Sequence, residues 1–232
     1  MKTFRKAVTF SYDDGISQDK KLVELFNRYG LKATFNLNTG IQSEESRFEI
    51  EGLPIYRMNQ EDIGNLYDGH EIAVHGLTHA APVEMSAENL EEEFGKDMDN
   101  ITRLYGETPV GMAYSYGAYD ENAVRFLEER GLRYGRTVES THDFRLPENP
   151  MLLKPTCHHN DEIIFDLIEK FLKEEPEEGQ VWLLYIWGHS YEFDVNGNWE
   201  HMEKVCRLLS GKDDVFYGTN RQCLEMFGCI TR

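Results

Sequence analysis

Two aspartates stand side by side in Ala7-Val-Thr-Phe-Ser-Tyr-Asp13-Asp14-Gly15, where a strand-like run passes directly into two like charges. Adjacent carboxylates repel each other and resist burial, so the chain has to supply a compensating group. His75 and His79 lie four residues apart, a spacing that on one helical turn puts both imidazoles on one side and suits a divalent metal. A third imidazole, His189, follows Trp187-Gly188. Two histidines and one carboxylate from another segment leave the open position that a catalytic zinc needs, and a metal on one aspartate would relieve the repulsion.

Short apolar runs alternate with helical patterns along the whole chain. The sequence predicts strands over Ala7–Ser11, Ala33–Leu37, Glu71–His75, Val110–Tyr114, Tyr134–Val138, Met151–Leu153, Val181–Trp187 and Val215–Tyr217. Helical periodicity covers Lys20–Tyr29, Ala87–Tyr105, Asp120–Arg130, Asp161–Lys173 and Trp199–Leu209. Leu90, Phe94, Met98, Ile101 and Tyr105 form one apolar helix face, which core packing explains. About eight strands with helices between them predict a βα-repeating fold, with barrel closure as the natural solution and an open doubly wound sheet as the alternative. No Gly-x-Gly-x-x-Gly follows a strand, so a dinucleotide site has no support. The polar stretch Gln42–Asn59 has no clear period and is expected to be an insertion over one face. In such folds functional groups collect where strands end. Asp13-Asp14, His75 and Trp187-Gly188-His189 all occupy such ends, which puts them on one rim.

The 232 residues are read as one domain, residues 1–232, with 40% hydrophobic and 28% charged residues. A net charge of −18, from 42 acidic against 24 basic residues, argues against nucleic acid and membrane surfaces as partners. The longest apolar run, Val181–Trp187, is strand-sized, and the N-terminus lacks a signal-like apolar core. A cytoplasmic location is therefore expected. Cys157, Cys206, Cys223 and Cys229 make no CxxC pair and are read as reduced structural thiols.

Thr9-Phe10-Ser11-Tyr12-Asp13-Asp14-Gly15 and His75-Gly76-Leu77-Thr78-His79 resemble the first two motifs of the polysaccharide deacetylase family, the NodB-homology or carbohydrate esterase family four group. Tyr114-Ser115-Tyr116-Gly117 is similar to its third motif, and Leu184–His189 to its last. The resemblance implies an α/β fold, a distorted (β/α) barrel of seven or eight strands like that of NodB. It also implies zinc (Zn2+) or another divalent transition metal, and hydrolysis of the N-acetyl amide of an amino sugar or oligosaccharide. On the matching positions, Asp14, His75 and His79 would hold the metal, Asp13 would be the general base and His189 the general acid. The backbone N–H of Tyr116 would face the oxyanion. A carbohydrate or small molecule is the expected partner, with oligomeric state left open. The other readings are an amidohydrolase on another small-molecule C–N bond and a noncatalytic carbohydrate-binding relative.

Two departures from the family pattern stand out. Many members carry an arginine where this chain has Ala113, and that arginine orients the base. Arg136, at the end of the fifth predicted strand, is the candidate replacement. Gly76 stands where Ser or Thr is common, which removes a hydroxyl but no metal ligand. Tyr114, His158, His159, Trp187 and Glu192 are the remaining candidates, as substrate contacts around the rim.

Overall fold

The computed structural model describes residues 4–231. Ten strands are present among these residues: β1 (Lys6–Asp13), β2 (Ala33–Leu37), β3 (Arg47–Ile50), β4 (Leu53–Tyr56), β5 (Glu71–Val74), β6 (Gly111–Ala113), β7 (Tyr134–Arg136), β8 (Cys157–His158), β9 (Trp182–Gly188) and β10 (Val215–Tyr217). Eight of them make one sheet in the order β7-β6-β5-β2-β1-β9-β8, with β10 paired to the first part of β1. All its neighbours are parallel, because helices carry the chain back over the outside between strands.

Every residue of β1 is buried, as expected of a strand covered on both faces. Phe10, Tyr12, Phe26, Phe35 and Phe171 pack between the sheet and its helices, and burying each such side chain contributes roughly 1.5–3 kcal/mol. Leu153 pairs in parallel with Arg136 of β7, and a few residues later the same chain enters β8 against β9. One short stretch therefore joins the two edges of the sheet, which curls into the expected distorted barrel. No helix among the described residues is long and apolar enough to cross a membrane.

One expectation needs correction and two gain detail. Met151–Leu153 is not a strand: Pro150–Leu152 is a short 3-10 turn, started by the Asn149 side chain accepting the Met151 N–H at 2.9 Å. The strand of that region is the two-residue β8. The insertion Gln42–Asn59 does contain regular structure, the antiparallel hairpin β3–β4. Third, the helical pattern Ala87–Tyr105 is interrupted by a π-helical turn over Glu91–Gly95.

Candidate active site

Asp13 ends β1, and Asp14 follows it with φ +81°, a conformation that non-glycine residues adopt only where the surroundings enforce it. The Asp14 N–H donates to the Asn36 carbonyl at 3.0 Å, which fixes the turn. Each carboxylate then meets its own arginine. Asp13 Oδ2 accepts from Arg136 Nη2, and its Oδ1 accepts from Asn36 Nδ2 at 2.8 Å. Asp14 Oδ1 accepts from Arg57 Nη1 at 3.1 Å. Both arginines are buried, and the Arg136 guanidinium lies 4.3 Å from the centre of the Trp187 ring. Burial alone would push the Asp13 carboxyl up, yet Arg136, helped by His75, His189 and Asn36, lowers it to about 2. At Asp14 burial is likewise outweighed, by Arg57 and the three imidazoles, and the group stays below the ordinary carboxylate range.

His75 follows β5, and its Nδ1 lies 2.8 Å from the Ala113 carbonyl. A carbonyl can only accept, so Nδ1 carries the proton and Nε2 presents a lone pair. That Nε2 is buried with no hydrogen-bond partner. His79 Nε2 stands 3.9 Å from Asp14 Oδ1, and donor atoms of Asp14, His75 and His79 all lie within 4.8 Å of one another. Burial holds the His75 imidazole below its usual value and His79 at about 4, so both are neutral near pH 7, as ligation requires. An orphaned lone pair facing two further N/O donors fits a divalent metal.

The helical turn expected between His75 and His79 is absent. The segment is a loop in which Gly76 has φ +85° and His79 φ +67°. Glu93, in the π-helical turn, gathers this loop: its Oε1 accepts the N–H of Thr78 (2.8 Å) and of Ala80 (3.0 Å), and its Oε2 accepts the Thr78 hydroxyl at 2.7 Å. A Cβ on residue 76 would lie 2.8 Å from Glu93 Oε1, so the glycine makes room for the carboxylate that holds the loop.

His189 Nδ1 lies 2.8 Å from Glu192 Oε1, and its Nε2 lies 3.8 Å from Asp13 Oδ2. Burial depresses an imidazolium, but Glu192, Asp13 and Asp14 more than offset it and raise the His189 value. His158 and His159 approach Glu192 Oε2 through Nε2, each at 3.2 Å. His158 Nδ1 accepts the Asn160 N–H at 3.2 Å, so its Nε2 is the protonated nitrogen. Although His158, His189 and Glu192 are close enough to share an ion, protons already hold this group together.

Two candidates are misplaced by the sequence reading. Tyr114 is fully buried and its hydroxyl donates to the Met151 carbonyl at 2.9 Å, so it is a core residue. His159 is fully buried too, stacked between Tyr12 and Phe193. Neither can touch a substrate. Trp187, 9% exposed, is mainly the platform beneath Arg136. Tyr116 lies at the rim with φ +60°, 72% exposed, its ring 4.6 Å from that of His79.

Arg57, Asn36, Asn38 and Glu93 were missed. Asn36 and Asn38 did leave a signal, two amides at period two at the end of a buried strand. Arg57 left none, since it follows the hairpin whose strands are mostly exposed.

A peptidoglycan deacetylase of Helicobacter pylori (strain ATCC 700392 / 26695) is 25% identical over 121 residues, 51% of this chain. The match spans 36% of that relative's length. In fold, the chain is similar to a family 4 acetyl xylan esterase from Clostridium thermocellum solved with a cobalt ion (TM-score 0.62, 14% identity, 96% of this chain and 92% of that one). It is also similar to a family 4 carbohydrate esterase from Streptomyces lividans solved with acetate (TM-score 0.61, 14% identity, 93% of each chain). The polysaccharide deacetylase family profile matches residues 1–135, which include the two aspartates, both loop histidines and Tyr116, and the chain belongs to that family.

Proposed function

We propose that this protein is a metal-dependent hydrolase that removes an acetyl group from the nitrogen of an amino sugar or short oligosaccharide. The observation that carries the reading is the Asp14–His75–His79 donor set, with Asp13 Oδ2 3.9 Å from His75 Nε2 and 3.8 Å from His189 Nε2. Asp14, His75 and His79 would hold the ion, zinc or another divalent transition metal, since two nitrogens and one oxygen suit several of them. Such an ion supplies Lewis acidity, lowering the pKa of water and drawing electron density from a carbonyl oxygen.

The remaining work falls to the chain's own side chains. Asp13 takes the proton of the attacking water. Arg136 and Asn36 keep it ionised and fixed in place, at the expense of some basicity. The Tyr116 N–H donates to the oxygen as negative charge develops there. An amine leaves poorly unless protonated, and His189 gives it a proton from Nε2 while Glu192 steadies the ring through Nδ1. Glu192 is thus a positioning residue rather than a substrate contact.

Replacing Glu192 by Gln removes the first of the influences that raise the His189 value. The acid has to be protonated to work, so the alkaline limb of the kcat/KM profile is expected to move to lower pH. A profile with an unmoved alkaline limb would reject that role.

The reading is tested by metal analysis of the purified protein and by acetate release from N-acetylglucosamine oligomers, with and without chelator. One bound metal per chain and chelator-sensitive release are expected. His75→Ala should weaken metal binding by roughly 100-fold or more, since it removes a ligand outright. Full metal retention in this variant, or acetate release indifferent to chelator, would sink the proposal.

A further inference from the structure

The hairpin β3–β4 delivers to the site a residue that the steps above do not use. Directly after β4, Arg57 forms an antiparallel bridge with Ile16, and the chain on either side is pinned: the Ser17 N–H donates to the Tyr56 carbonyl at 2.9 Å and the Met58 N–H to the Gly15 carbonyl at 3.0 Å. The guanidinium, its side chain 8% exposed, has little freedom left. Its Nη1 donates to the Asp14 carbonyl (2.7 Å), to Asp14 Oδ1 (3.1 Å) and to Asn38 Oδ1 (3.2 Å). Asp14 Oδ1 is also the oxygen 3.9 Å from His79 Nε2. A fixed positive charge therefore sits on the very carboxylate oxygen that faces the other metal donors.

We propose that Arg57 is a positioning residue that stands in for a cation at Asp14. Without metal, it compensates the buried carboxylate and keeps it aimed at the two histidines. With metal, it competes for the same oxygen and adds a repelling charge, so the ion is held less tightly and exchanges more readily. This rests on the reading that Asp14, His75 and His79 hold a metal. The physical grounds are two. A buried carboxylate without a partner is strongly disfavoured, so some cation has to be present in both states. A hydrogen bond from a guanidinium draws charge from the oxygen it touches, and two cations a few ångströms apart repel wherever water is excluded. Arg136 cannot serve instead, because it is bound to Asp13.

Two variants separate charge from packing. Arg57→Gln removes the charge and keeps an amide donor; Arg57→Lys keeps the charge and loses the planar fork. The measurements are the metal Kd, by competition with a chromogenic chelator, and Tm with and without Zn2+. Arg57→Gln is expected to bind Zn2+ about tenfold more tightly, to melt lower than the parent without metal, and to recover most of that difference on metal addition. Arg57→Lys should keep a Kd within about threefold of the parent. Equal loss of Tm with and without Zn2+, together with an unchanged or weaker Kd in Arg57→Gln, would make Arg57 a structural tie for the hairpin and overturn the proposal. Binding of Zn2+ by neither parent nor variant would instead overturn the metal reading itself, and this inference with it.

Discussion

Replacing Asp13 by Asn is expected to lower kcat by roughly 10²–10⁴-fold while metal content stays at the parent level. The amide has the shape of the carboxylate but cannot accept the proton from water. Asp13 is not in the Asp14–His75–His79 donor set, so its loss should spare the metal. Acetate release measured beside metal content checks both halves: loss of metal would exchange the roles given to the two aspartates. The same substitution should flatten the acid dependence of stability. A carboxyl held at about 2 in the folded protein, against an ordinary 3.8, contributes about 2 kcal/mol. Because the folded value is depressed, that stability is fully present above pH 3.8 and is lost as the pH falls through 2.

Arg136→Met is expected to lower Tm by about 10 °C and to move the acidic limb of the rate profile to higher pH. Removing one partner of a buried ion pair costs about 3–5 kcal/mol, and in a chain of this size each kcal/mol lowers Tm by about 2–4 °C. Both partners are buried, so solvent does little to soften the loss. With the guanidinium gone, burial, already the largest single influence on Asp13, loses its strongest opponent and pushes the carboxyl up. The base has to be ionised to work, so the pH needed to ionise it rises with it. Thermal denaturation and a pH series of kcat/KM would measure the two effects. A variant that melts like the parent and keeps its acidic limb would show that Asp13 is held by other means.

Much of this site was legible because its residues are chemically unusual where they stand. Asp13-Asp14 at a strand end, His75 with His79, and His189 after Trp187-Gly188 each break the apolar pattern of a βα fold. Arg136, proposed from its strand end as the replacement for the arginine that the family pattern places at Ala113, lies against Asp13. What escaped has physical reasons. β8 has two residues, too few to show a period. Met151 and Leu152 read as strand because they are apolar, but Pro150 and the Asn149 side chain commit them to a tight turn. In β3 and β4 most side chains are exposed, so the apolar alternation that marks a half-buried strand is weak. Tyr114 and His159 have the letters of substrate contacts, and only packing shows that they face the core. Arg57 acts through a contact 43 residues away in the chain, beyond any local pattern.

The ion pair between Arg136 and Asp13 also has a mechanical side. Along the sheet, β7 and β1 are separated by β6, β5 and β2, so the contact does not link neighbouring strands. It is a chord drawn across an arc of parallel strands, anchored at one end on the ring of Trp187 in β9. A chord of fixed length sets the curvature of its arc. The seam at Leu153–His158 can close only if that curvature brings β7 round to meet it, so the pair that steadies the proposed base also sets how far the sheet must bend to complete the wall around it.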